Sequence, residues 1–335
     1  MAGGVFHGGA VALAATRFGG DPARWLDLST GINPAVPALP EITPEIYNRL
    51  PDAPLSLAAR SAARRFYTGT DQGPLPVAVA GTQSFIQLLP QLAPPGRPVA
   101  ILSPTYGEYE HSFQRAGFSV DAIPSINQLG PRHGALIAVN PNNPDGRILS
   151  QETLVQLAER METQGGILHV DEAFGDLDPQ HSMVGKVSDH TNLTVSRSFG
   201  KLFGMAGLRL GFIFAAPVTL ARLEAMLGPW PVSGPALHLS RHVLESGASE
   251  IVAAIAERRA ALQAVLEDAG LETIGGTGLF ALVRHRRAGD LYTHLVHAHI
   301  LVRRFDYAAD WLRIGLAPDA AGDQRLSDAL RTADL

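Results

Sequence analysis

The sequence predicts an α/β protein, with a mostly parallel sheet in a large domain and a smaller α+β domain beside it. Three observations predict this. From about residue 77, short apolar runs alternate with helical stretches, the pattern of strands joined by crossover helices. After "GPWPVSGP" (228–235) the texture changes to one long helix and several closely spaced strands. The 335 residues suffice for one large unit and a companion.

Taken in order, residues 1–40 are rich in Gly, Pro and Ala and read as a short helix followed by an extended arm. "VAVA" (77–80) is a strand and "QSFIQLLPQLA" the helix after it. "PVAIL" (98–102), the helix "GEYEHSFQRAG" and the strand "FSVDAI" follow. "ALIAVN" (135–140) turns into the helix "QETLVQLAERME", and "GILHV" (166–170), "LTVS" (193–196) and "LRLGFIFAA" complete the sheet. A long amphipathic helix fits 249–269. "LETIGG", "GLFALVR", a helix near 289–298, "ILVRR" and "WLRIGL" then form a small sheet with its cover. The expected division is a large domain at 41–234, with 1–40 and 235–335 forming the arm and small domain.

Composition narrows the function. Hydrophobic residues are 46% and charged residues 18%, ordinary for a globular protein, and the net charge is −5. No basic stripe marks a nucleic-acid or membrane-surface partner, and "RHRR" (284–287) reads as a solvated turn. The absence of cysteine excludes disulfides, thiolate metal sites and cysteine nucleophiles. No basic leader with an apolar run opens the chain and no span is long enough for a bilayer, so a cytoplasmic protein is expected.

Ligands of open parallel sheets gather at the carboxyl ends of the strands. Here five strands in turn end in polar or aromatic groups: Gly81-Thr82-Gln83, Ser103-Pro104-Thr105-Tyr106, Asn140 to Asn143, Asp171-Glu172, and Ser196-Arg197-Ser198 before Lys201. Gly81, Thr82 and Gln83 at a helix start offer backbone N–H groups to a phosphate, and Ser196, Ser198 and Arg209 can add hydroxyls and a cationic fork. Tyr106 can lie on a planar ring. Asp171, ending a buried strand, needs a cation, and a protonated pyridine nitrogen is one. Asn143 can bond a phenolic oxygen, and Lys201 can form a Schiff base with an aldehyde. Together these residues describe a pocket for pyridoxal 5'-phosphate.

Other motifs carry less. "GGTGLFA" (275–281) fits a degenerate dinucleotide pattern, but a strand follows it rather than a helix. His294 and His297 in "HLVHAH" lack further ligands at a useful spacing, so no metal is expected. Glu172 beside Asp171 has no phosphate-loop lysine motif before it, which removes a nucleotide-hydrolysing reading.

"SPTYGEY", "NPNNPDG", "VDEAF" and "SRSFGKLFGMAGLRLGF", in this order and spacing, resemble the fold-type I, aspartate-aminotransferase-like enzymes of the histidinol-phosphate aminotransferase branch. The resemblance implies Lys201 as the Schiff-base lysine, Asp171 on the ring nitrogen, Asn143 on the ring hydroxyl and Tyr106 on the ring face. It implies Thr82, Ser196, Ser198 and Arg209 around the phosphate, and Arg313 in "WLRIGL" on the substrate carboxylate. Within the branch, "HGG" (7–9), "LDLSTGINP" (26–34) and Phe174 in place of a tyrosine resemble the decarboxylases of threonine phosphate in cobalamin synthesis. That implies a lyase whose substrate is a phosphorylated amino acid, with His7, Asn33 and Arg303 as further substrate contacts and Arg304 as an alternative to Arg303. An aminotransferase on the same fold is the competing expectation. A sensor of the cofactor fused to a DNA-binding module is disfavoured, because residues 1–40 hold no basic helices for one. The family also implies a homodimer. Leu50 stands where the family has a tyrosine reaching the partner's cofactor phosphate, so either another group serves there or the phosphate is held less tightly.

Overall fold

The apolar runs of the middle of the chain line up as one seven-stranded sheet. Its strands are β1 (Val77–Val79), β2 (Val99–Leu102), β3 (Val120–Ile123), β4 (Ala135–Val139), β5 (Ile167–Asp171), β6 (Leu193–Ser198) and β7 (Gly211–Ala215). The spatial order is β1-β7-β6-β5-β4-β2-β3. β7 runs antiparallel to both its neighbours and every other pair is parallel. β2 and β4 are buried along their whole length, which is why they read as unbroken apolar runs. Phe85, Ile86, Tyr109 and Phe113, from the helices Thr82–Leu88 and Glu108–Arg115, pack with Ile101, Ile137 and Ile213 into one core cluster.

The computed structural model describes residues 8–333. Contacts divide the chain into two units, Pro37–Asn143 with Ile148–Ser249, and the described residues of Met1–Val36, Pro144–Arg147 and Glu250–Leu335. This differs from the division expected at 40/41 and 234/235 for an identifiable reason. The helix Gly234–Ser246 packs along the helix Ala53–Thr68 and so joins the large unit. Neither helix was assigned from sequence. Both start in plain view, with Asp52 accepting from the Leu55 N–H and Ser233 from the Ala236 N–H, each with proline in the first turn.

The second unit holds a four-stranded antiparallel sheet of β8 (Glu272–Thr277), β9 (Phe280–Arg284), β10 (Arg303–Phe305) and β11 (Ala308–Gly315), in the order β10-β11-β9-β8. "GGTGLFA" is the hairpin between β8 and β9, as its following strand required. The helices expected at 249–269 and 289–298 are Ser249–Asp268 and Ala288–His297. His294 and His297 lie in the last turn of the latter, where the His294 Nε2 meets the Ala329 carbonyl at 2.8 Å. The arm forms the helix Val11–Phe18 and then a two-residue strand, Leu26–Asp27, paired in parallel with Ile300–Leu301. Among the described residues no helix is long and apolar enough to cross a membrane.

Candidate active site

The large unit brings ten of the expected residues to the carboxyl edge of its sheet and the loops beyond it. Asp171 ends β5 and is 4% exposed. Its Oδ2 accepts from the Tyr109 hydroxyl at 2.8 Å, and its Oδ1 from the Ala173 N–H at 3.0 Å and the Ser196 hydroxyl at 3.1 Å. Burial pushes this carboxyl above the ordinary aspartate range, while the hydrogen bonds and the Lys201 ammonium pull it back down. Lys201 sits on the short helix Phe199–Leu202, with Nζ 5.4 Å from the centre of the Phe174 ring.

Ser196 is placed differently from expectation. Its side chain is fully buried and bonded to Asp171, because β6 pairs with β5 in the register Asp171↔Ser196. It belongs to the acid and not to a phosphate cup. Ser198, two residues on and partly exposed, keeps the expected placement at the end of β6. Gly81 precedes the helix Thr82–Leu88 with φ +74°, and a Cβ there would lie 2.8 Å from Arg209 Nη2. Only glycine admits the guanidinium this close to the helix start. Gln83 is engaged by neighbours: its amide donates to Glu108 at 2.7 Å and accepts from the Tyr106 hydroxyl at 3.1 Å. It therefore steers Tyr106, whose ring meets that of Tyr109 edge to face. Asn143 follows Asn142, which is fixed by Thr105 at 2.6 Å and the Pro104 carbonyl at 2.8 Å.

The small unit assembles the other group. β10 and β11 set Arg303 directly opposite Arg313, so both side chains leave the same face. Arg304 leaves the other face, where its guanidinium lies 5.3 Å from the centre of the Tyr292 ring; Arg303 is thus the residue on the face of Arg313. Arg313 is nearly buried, lies over Phe280 and donates to the Ser29 carbonyl at 2.7 Å. The Gly9 N–H donates to the Ser29 hydroxyl at 2.7 Å, and a Cβ on Gly8 would come within 2.3 Å of the Ser29 carbonyl oxygen. The glycines of "HGG" therefore tie the arm to the residue that holds Arg313. His7 lies outside the described residues. Asn33 is buried and accepts from the Ala35 N–H at 3.0 Å.

Residues 28–330 match the sequence profile of aminotransferase class I and II. The chain is 54% identical to a threonine-phosphate decarboxylase of a Sinorhizobium species over 99% of both chains. The chain belongs to this family. A second threonine-phosphate decarboxylase, from Pseudomonas aeruginosa, is 38% identical over 97% of this chain and 96% of its own. The fold matches the crystal structure of histidinol-phosphate aminotransferase from Sinorhizobium meliloti in complex with pyridoxal-5'-phosphate, with a TM-score of 0.80, 17% identity, and 96% and 95% of the two chains covered.

This member of the aminotransferase class I and II family also carries a buried charged cluster behind the carboxyl edge of its sheet. Arg197, between the two serines, points to the opposite face of β6, as the period of two requires. It is 2% exposed and pairs with Glu172 at 3.0 Å and Asp176 at 3.1 Å. Glu172 also accepts from the Met183 N–H at 2.6 Å and the Ser182 hydroxyl at 2.7 Å. Glu172 beside Asp171 is thus half of a buried ion pair. An arginine inside a buried strand is the available signal, since such a charge must find a partner.

Burial lifts the Asp176 carboxyl from 3.8 to about 6, against the pull of Arg197. A carboxylate with a raised folded-state value favours folding fully below its unfolded value of 3.8, and that contribution is lost as the pH rises through about 6. The thermal midpoint of the wild type relative to Asp176→Asn should accordingly fall as the pH is raised across this window. A difference that grows instead would show that Asp176 gains more from Arg197 than burial costs it.

Proposed function

We propose that the chain decarboxylates L-threonine O-3-phosphate to (R)-1-amino-2-propanol O-2-phosphate in cobalamin synthesis, with pyridoxal 5'-phosphate as cofactor. The carrying observation is the pair Arg303 and Arg313 on one face of the small sheet, a cationic pair suited to a substrate with both a carboxylate and a phosphate. Full-length relatives named for this activity support the same reading.

The residues of the large unit fit the cofactor. The backbone of Gly81 and Thr82 with Ser198 and Arg209 suits its phosphate; Asp171 suits its ring nitrogen, Asn143 its ring oxygen, Tyr106 its ring face and Lys201 its aldehyde. With no side chain on Gly81, Arg209 Nη2 stands against the start of the helix Thr82–Leu88, where backbone N–H groups suit an anion. Bound there, the cofactor supplies an electron sink for the pair left behind when carbon dioxide departs.

The chain's own groups do the rest. Arg313 holds the α-carboxylate that leaves, and its bond to Ser29 fixes the direction of its fork. Arg303, with His7 and Asn33, takes the substrate phosphate. Asp171 remains ionised and keeps the ring nitrogen protonated. Lys201 would hold the cofactor's aldehyde carbon through its amine; freed and protonated by the proton that the substrate ammonium gives up, it would return that proton to the α-carbon. Phe174 offers no hydroxyl to the ring oxygen, which leaves that oxygen to Asn143. Tyr47, Leu50 and Leu57, exposed by 66%, 65% and 54%, suit burial against a second copy, and we read the enzyme as a cytoplasmic homodimer.

The test is the product formed from L-threonine phosphate by the purified, cofactor-loaded protein. Mass spectrometry should find the aminopropanol phosphate and stoichiometric carbon dioxide with no keto acid added. A keto-acid requirement would assign the chain to transamination. Arg313→Gln should lower kcat/KM by about a hundredfold or more, the value of a buried charge-assisted contact.

A further inference from the structure

Asp171 is wired to groups that no step above uses. The Tyr109 hydroxyl that donates to its Oδ2 lies 3.0 Å from His169 Nε2, and His169 Nδ1 lies 3.0 Å from the Thr194 hydroxyl. His169 is fully buried, and burial drives its pKa from 6.5 to about 3, so the ring stays neutral. The groups around it are Tyr109 from Glu108–Arg115, Phe85 from Thr82–Leu88, and Thr194 and Ser196 from β6, with Asp171 on its own strand. Asp171 is the one charged group among them.

The protons can be placed. A carboxylate only accepts, so the single Tyr109 proton points to Asp171. The phenolic oxygen must then accept, which puts the imidazole proton on Nε2. Nδ1 takes the Thr194 proton. The chain Thr194, His169, Tyr109, Asp171 thus has every donor aimed toward the acid, the arrangement in which successive bonds strengthen one another.

We propose that His169 is a positioning residue for Asp171, a neutral imidazole that holds the Tyr109 hydroxyl in the one orientation that keeps the acid ionised against the ring nitrogen of the cofactor. This rests on the assignment of Asp171 to that nitrogen. His169 acts through Tyr109, and its contribution therefore vanishes when the Tyr109 hydroxyl is gone.

Two measurements test it on the holoenzyme. Nitrogen NMR of histidine-labelled protein should show a His169 ring that stays neutral between about pH 6 and 8 with its proton on Nε2. A ring protonated on Nδ1, or one that titrates in that range, would overturn the proposal. His169→Phe should weaken cofactor affinity about three- to tenfold, the value of one buried hydrogen bond, and shift the pH titration of the visible absorbance of the bound cofactor. Tyr109→Phe should do at least as much, and the double variant no more than Tyr109→Phe alone. Losses that add would sink the proposal. Asp171→Asn separates the two levels: if it leaves affinity and absorbance unchanged, the Asp171 assignment itself fails, whereas a strong effect beside a silent His169→Phe removes only the relay.

Discussion

Lys201→Ala should lose at least about 10⁴-fold in turnover, the upper end of what one positioned proton-transfer group contributes. It should also lose the visible absorbance of cofactor attached to the lysine amine. Stability should barely move, by about 0.5 kcal/mol or less, because Lys201 is only partly buried and sits on a four-residue helix. A second variant separates the two duties of this side chain. Its positive charge is one of the forces holding Asp171 ionised, and Lys201→Arg keeps that charge while removing the nucleophile. The arginine variant should be equally inactive yet retain more cofactor than the alanine variant. Retained turnover in Lys201→Ala, measured by carbon dioxide release, would end the assignment of Lys201.

Arg197→Met should be the most destabilising single change at the site, at about 3–5 kcal/mol. It strands Glu172 and Asp176 together in the interior, each 4% exposed or less at the side chain. Its guanidinium also lies 5.0 Å from the centre of the Tyr67 ring, so packing is lost with the charge. Combining Arg197→Met with Glu172→Gln and Asp176→Asn should recover most of the loss, since uncharged groups of similar volume no longer need compensation. Urea midpoints with unchanged slopes would measure both effects. A triple variant no more stable than the single one would mean that geometry and not charge is what the cluster supplies.

The polar edge of the large sheet is legible because strand ends concentrate unlike residues in a short stretch. Lys201, Asp171, Tyr106, Asn143, Arg209 and the Gly81 turn all follow an apolar run, where a polar group has little structural reason to be. What escaped was the layer behind it. His169 lies two residues before Asp171 and looks like one polar interruption of a strand, while Arg197 falls between two serines and reads as part of a polar strand end. Their partners come from other elements, Tyr109 and Thr194 for the histidine, Glu172 and Asp176 for the arginine. Ser196 was misplaced for the same reason, since only the pairing of β5 with β6 reveals that it faces the acid. Arg303 and Arg304 are adjacent in sequence, and only the register across to Arg313 reveals which of them shares its face.

Arg303 and Arg313 share one side of the small sheet from adjacent strands. The Ser29 carbonyl and the Phe280 ring hold Arg313 in place from behind. An anion that docks on that face meets a donor whose ordering cost is already met in folding, so its affinity owes as much to preorganisation as to charge.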